Sequence, residues 1–135
     1  MDNKYADLIA MATKAWENAY APYSGYRVGA AVLWDSGRIT AGSNVENSSY
    51  GLTVCAERNA IFQGVALGER KIKALAVAVP DANLPTPCGA CRQVIREFAD
   101  DCDVVLVNGQ GETKLASLQE LLPFSFGPEF LKGQG

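Results

Sequence analysis

At 135 residues, 48% apolar and 20% charged, the chain has room for one hydrophobic core and too little length for two ordinary domains, so a single domain over 1–135 is expected. A net charge of -3 without a basic stripe argues against nucleic-acid or anionic-membrane partners, which are bound through clustered Lys and Arg. Four cysteines and no histidine exclude a Cys-His dyad and a His-ligated metal, and leave proton transfer near neutral pH to a perturbed carboxylate or a metal-bound water.

In chain order, residues 1–16 mix charged with apolar side chains, which is neither a signal peptide nor a membrane span and makes the cytoplasm the default location. Tyr5, Leu8, Ile9, Ala12, Ala15, Trp16 and Ala19 recur at threes and fours, predicting an amphipathic helix over residues 3–20 that Pro22 breaks. The run VGAAVLW, the turn signal DSG at 35–37 and the run RITAGSNV predict an antiparallel hairpin. A helical pattern from residue 53 to about 67 follows, with Thr53 as its N-cap and Gly68 as its end. IKALAVAVP is a buried strand, CGACRQVIREFAD is a helix with Pro87 suited to its first turn, and CDVVLVN is another buried strand. LASLQELLP reads as helix-forming, and FSFGPEFLKGQG closes the chain as a tail. Helices alternating with strands give an α/β sheet covered by helices, paired in parallel where helices connect the strands.

The cysteines acquire a shared geometry on this scheme. In a reducing cytosol Cys55, Cys88, Cys91 and Cys102 are metal ligands, catalytic thiols or small core residues rather than disulfides. Cys88 and Cys91 lie three apart at a helix start, and Cys55 lies at the start of another, where unpaired N–H groups and the helix dipole favour thiolate. Three thiolates make three corners of a zinc tetrahedron, and catalytic zinc sites keep the fourth for water. Cys102 could close such a site, but its place at the mouth of an apolar strand fits a buried core thiol better. Glu57, beside such a water, would take and deliver its proton. Three thiolates leave zinc with net negative charge, which opposes ionisation of water; Arg58, next to Glu57, and the two helix starts are read as offsetting it.

The pairing of CAE with PCGAC resembles the signature of zinc nucleoside deaminases, in its three-cysteine form. APYSGYRVGAAV, GSNVENSSYGLTVCAERNAI, PCGACRQV and LLPFSFGPEFL, in that order, are similar to the homotetrameric cytidine deaminases. The resemblance implies a three-layer α/β/α fold with a mixed sheet of about five strands and an N-terminal antiparallel hairpin. It implies one Zn2+ per subunit on Cys55, Cys88 and Cys91, with Glu57 as proton shuttle. It implies that Asn44 and Glu46 bind the ribose hydroxyl, that Tyr26 packs where relatives carry phenylalanine against the pyrimidine, and that backbone near Ala56 and Cys88 reads the base edge. Phe126 matches a residue reaching a neighbouring subunit's site, and Tyr50 lies near a subunit boundary, so the partners implied are a pyrimidine nucleoside and further copies of the chain. Taken singly, the same residues have plainer readings: a redox or structural Cys-x-x-Cys, solvated charges at Glu57 and Arg58, turn residues at Asn44 and Glu46, and packing aromatics. A related aminohydrolase of an antibiotic nucleoside, or a closed four-cysteine structural zinc module, would account for part of the pattern.

Overall fold

Strands β1 (Gly29–Trp34), β2 (Ile39–Ser43), β3 (Ile72–Ala78), β4 (Asp103–Val107) and β5 (Thr113–Ser117) form one sheet in the order β2-β1-β3-β4-β5 in the computed structural model, which describes residues 3–132. β1 pairs antiparallel with both β2 and β3, β3 pairs parallel with β4, and β5 returns antiparallel along β4. The helices are α1 (Ala6–Ala15), α2 (Ala56–Ala66), α3 (Gly89–Glu97) and the short α4 (Leu118–Leu121) and α5 (Glu129–Lys132). α3 provides the crossover that a parallel β3–β4 pair requires.

Strand alternation sorts side chains onto two unlike faces. Ala30, Val32, Trp34, Leu75, Val77, Val104 and Leu106 meet Ala56, Ala60 and Ile61 of α2 and Ile95 of α3 on one side. Ala31, Ala74, Ala76 and Ala78, with Val105 and Val107, meet Tyr5, Leu8 and Ala12 on the other. The result is the expected three layers with a mixed five-stranded sheet. On the α1 side the small side chains let backbone approach backbone: a Cβ at Gly29 would overlap the Ala12 carbonyl. Burying Leu8 completely contributes about 2 kcal/mol.

The polar groups that bridge the hairpin and α2 are paired. Trp34 Nε1 donates to Thr40 Oγ1 at 2.9 Å, and that hydroxyl donates to the Ala60 carbonyl at 2.7 Å, which fastens the β1–β2 hairpin to the middle of α2. Satisfied in this way, the indole and hydroxyl avoid the cost of burial without a partner.

Several expected boundaries move. The first helix ends at Ala15, residues 16–18 continue as a 3-10 turn, and Ala19 is already extended. Thr53 does not cap α2. Cys55 occupies that position, while Thr53 Oγ1 accepts from the Asn47 N–H and Val54 pairs with Val45. Pro87 lies ahead of the α3 cap rather than in the first turn, because Cys88 is the cap and its sulfur accepts from the Cys91 N–H. Within LASLQELLP, Leu115–Ser117 complete β5 and helix begins only at Leu118, where Ser117 and Glu120 form a capping box. Pairing with the exposed edge of β4 overrides the helical pattern there. Residues 133–135 of the tail, and the first two residues of the chain, lie outside the described residues.

Candidate active site

Two helix starts converge near the carboxyl end of β3. Cys55 caps α2 and Cys88 caps α3, both with extended backbone, and Cys91 stands in the first turn of α3. Their three sulfurs lie within 4.8 Å of one another, with Cys55 and Cys88 at 3.7 Å. Tetrahedral zinc with Zn–S bonds of about 2.3 Å holds its sulfurs roughly 3.8 Å apart, so the donor set fits that ion. Cys102 does not join them; it is buried in the core ahead of β4, and burial first, then Asp101 and Asp103, push its thiol up to about 12.

The protein polarises this cluster. Cys55 is drawn down to about 5, first by a hydrogen bond from Cys91 and then by Arg58 and Cys88, while Cys91 moves up because it is the donor to Cys55. Arg58 Nη2 lies 3.5 Å from the Cys55 sulfur, and the bond holds the guanidinium firmly charged. The Arg58 Nε is buried without a hydrogen-bond partner.

Glu57 is 4% exposed. Burial raises its carboxyl to about 7, and the neighbouring Cys55 thiolate adds to the rise against its own backbone N–H and Arg58. A carboxyl poised there can both accept and return a proton at neutral pH, as general acid–base chemistry requires.

A cleft of about 430 Å³ opens on these groups, bordered by Cys55, Ala56, Glu57 and Cys88 and by Tyr26, Val28, Asn44 and the loop from Asn83 to Thr86. Asn44 is buried, and its amide ties the rim together. Oδ1 accepts from the Val28 N–H at 2.9 Å, and Nδ2 donates to the Tyr26 carbonyl at 2.8 Å. One lone pair and one proton of that amide stay available. Tyr26 presents a partly exposed ring whose hydroxyl is raised, chiefly by burial and then by Asp81 and Glu57.

The other expected residues lie elsewhere in the chain. Glu46 borders a neighbouring depression of about 350 Å³ with Tyr23, Ser24 and Tyr50, and Thr53 borders both cavities. Its carboxylate accepts from the Tyr23 and Ser24 N–H groups and from the Ser24 hydroxyl, and that hydroxyl bond does most to hold it below the usual range. Tyr50 is 76% exposed and meets Tyr23 edge-on. Phe126 stands on the C-terminal tail, stacked on Phe130 with centroids 5.1 Å apart, and does not border the cleft of its own chain.

Sequence reading overlooked the Asn83–Thr86 wall and Arg92. Arg92 follows Cys91 directly, and it donates to the Pro87 carbonyl at 2.7 Å and the Leu121 carbonyl at 2.8 Å, which fixes the loop entering α3. Their closeness to PCGAC in sequence was the available signal.

Residues 2–107 match the family model for the cytidine and deoxycytidylate deaminase zinc-binding region. A cytidine deaminase of Sporosarcina psychrophila is 48% identical over 125 residues, 92% of each chain. The crystal structure of cytidine deaminase from Burkholderia pseudomallei superposes with a TM-score of 0.86 at 45% identity, over 91% of this chain and 99% of that one. The corresponding structure from Mycobacterium tuberculosis gives 0.80 at 39% identity, over 93% and 99%. The matched span takes in every residue bordering the cleft, and the chain belongs to the cytidine and deoxycytidylate deaminase family.

Proposed function

We propose that this protein is a zinc-dependent cytidine deaminase, converting cytidine and 2'-deoxycytidine to uridine, deoxyuridine and ammonia in pyrimidine salvage. The observation that carries the reading is a buried carboxyl, Glu57, in one cleft with the Cys55 and Cys88 thiols, whose cluster the buried Cys91 completes. Cys55, Cys88 and Cys91 would hold one zinc per subunit, and zinc supplies Lewis acidity that makes water nucleophilic near neutral pH.

The remaining work falls to the chain. Glu57 accepts the proton of the attacking water as oxygen bonds to C4 of the pyrimidine, and passes it to N3. The second proton of that water leaves the new C4 hydroxyl and Glu57 delivers it to the amino group, the C–N bond breaks, and ammonia leaves as the carbonyl forms. Arg58 places its positive charge against Cys55 and so offsets the charge of the thiolates, which would otherwise weaken the acidity of the site. Tyr26 offers a ring face for the base, and backbone beside Ala56 and Cys88 offers donors and acceptors for its edge. Asn44 and Glu46 are proposed for the ribose. Thr53 borders both the cleft and the Glu46 depression, and Asn44 borders the cleft alone.

Assembly belongs to the same reading. Tyr50 and Phe126 are exposed aromatics outside their own cleft; on this reading Phe126 reaches into a neighbour's site and Tyr50 lies near a subunit boundary, in a homotetramer of single-domain subunits. Among the described residues no helix is long and apolar enough to cross a membrane. Four free cysteines suit a reducing cytoplasm. The substrate is a small nucleoside and not a polynucleotide, in keeping with the acidic balance of the chain.

The test follows the ultraviolet spectrum of cytidine incubated with zinc-loaded protein, beside a Glu57→Ala control. Conversion to the uridine spectrum by the native protein alone is expected. No conversion by native protein with zinc bound would end the cytidine reading.

A further inference from the structure

The tail that carries Phe126 is fastened to α3, the helix that also brings Cys91 to the metal cluster. Gln93 Nε2 donates to the Phe126 carbonyl at 2.8 Å and Arg96 Nε donates to Ser125 Oγ at 2.8 Å, while Arg92 holds the end of α4 just before the tail through the Leu121 carbonyl at 2.8 Å. A second arm of Arg96 pairs with Glu129, and a third reaches Asp100 at 3.4 Å.

Three features single out Arg96 within this set. It is 7% exposed, and an arginine is rarely buried unless its charge and donors are engaged. Gly127 presses against it so closely that a Cβ there would overlap the guanidinium. The tail also has little else to hold it, because Phe124, Phe126, Phe130 and Leu131 all keep more than half of their surface in solvent. Phe124 adopts a left-handed backbone (φ 54) that an L-residue takes up only when its surroundings demand it. Polar contacts, with Arg96 at their centre, therefore set the path of the tail.

We propose that Arg96 is a positioning residue for substrate binding: it locks residues 125–129 onto α3, and so presents the stacked Phe126–Phe130 pair in one orientation to a neighbouring subunit's cleft. The proposal rests on the reading of Phe126 given above. A tail already ordered loses little freedom when it closes on substrate, and a released tail has to be ordered at each binding event. Arg96 contacts neither the thiols nor Glu57, so its effect falls on KM and leaves the chemical step alone.

The experiment compares zinc-loaded native protein with Arg96→Ala, Arg96→Lys, Phe126→Ala and the double variant Arg96→Ala/Phe126→Ala, measuring kcat, KM for cytidine and zinc content. Arg96→Ala is expected to raise KM about tenfold with kcat and zinc nearly unchanged, the scale set by the cost of ordering a loop on binding. Lysine should restore part of the loss, since it can pair with Glu129 but lacks the planar fork that also engages Ser125. The double variant should be no worse than Phe126→Ala. Gly127→Ala and Glu129→Gln, which leave Arg96 in place, should raise KM in the same direction if Arg96→Ala fails to fold. Additive losses in the double variant, or a fall in kcat matched by zinc loss, would overturn the proposal. So would an unchanged KM in Arg96→Ala while Phe126→Ala is impaired. An unchanged KM in Phe126→Ala would instead bring down the shared-site reading and the proposal with it.

Discussion

The metal cleft and the aromatic tail are held by opposite means. Cys55, Glu57 and Cys91 ride on the cap and first turns of two helices whose bodies are packed into the core through Ala56, Ala60, Ile61 and Ile95. Phe126 and Phe130 ride on a segment tied down by a few polar contacts, with their rings open to solvent. The difference separates two tasks. Groups that hold a metal or move protons need sub-ångström placement, which core packing supplies. Groups that meet another surface need only a defined direction and can stay uncovered until that surface arrives.

Changes in the packed region should have the greatest effect. Cys88→Ser is expected to abolish zinc retention and activity together, because two thiols with one hydroxyl no longer make the donor set; metal analysis beside the rate assay checks both. Glu57→Ala should keep zinc but lower kcat by about 10³-fold, in the range for loss of a general acid–base group. Zinc loss in that variant would blur the division between the metal and proton roles.

Glu57 also makes the metal-free fold sensitive to pH. Its folded pKa of about 7 lies above the ordinary 4.5, so between these values the native state binds more protons than the unfolded chain. Stability contributed by the neutral carboxyl is therefore lost as pH rises through that window, by about 3 kcal/mol at most. Glu57→Gln should accordingly raise the Tm of metal-free protein at pH 8 and leave it nearly unchanged at pH 4. An equal shift at both pH values would mean that repacking, and not ionisation, is responsible.

Smaller effects are expected toward the rim. Arg58→Ala removes the cation beside Cys55, so protons should compete with zinc more effectively and the midpoint of zinc release should rise by about one pH unit. An unmoved midpoint, with an unchanged acidic limb of the rate profile, would discard the charge-offset role. Tyr26→Phe keeps the ring and drops the hydroxyl, and should change kcat/KM by less than about threefold; a larger loss would give that hydroxyl a substrate contact and make the rim as demanding as the interior.

Legibility in the sequence follows the same division. β1, β3 and β4 were readable because strands buried on both faces are near-continuous apolar runs, and the two helix starts were readable because the cysteines and PCGAC mark them. β5 was not, since TKLAS exposes Lys114 and Leu115 and carries no apolar run; it forms because β4 offers an edge. The three thiols converge, with Glu57 beside them in the cleft, as the resemblance implied. Asn44 and Glu46, two residues apart, separate into neighbouring cavities because Glu46 turns toward the Tyr23 and Ser24 N–H groups. The Asn83–Thr86 wall has no periodicity at all, and only the folded chain sets it opposite Tyr26.

The alanine-lined face of the sheet gives the molecule an uneven tolerance for change. On the side of Trp34 and Ile61, substitutions fail by emptying: a shortened side chain leaves a void that neighbours cannot fill. On the side of α1, where Ala31, Ala74 and Ala76 meet Leu8 and Ala12, they fail by crowding, and one added methyl group has to push a whole helix outward. Crowding also limits the α2 side, since a Cβ at Gly64 would overlap the Trp34 ring, so permitted variation is bounded in both directions there, whereas at the alanine positions under α1 it runs only toward equal or smaller residues.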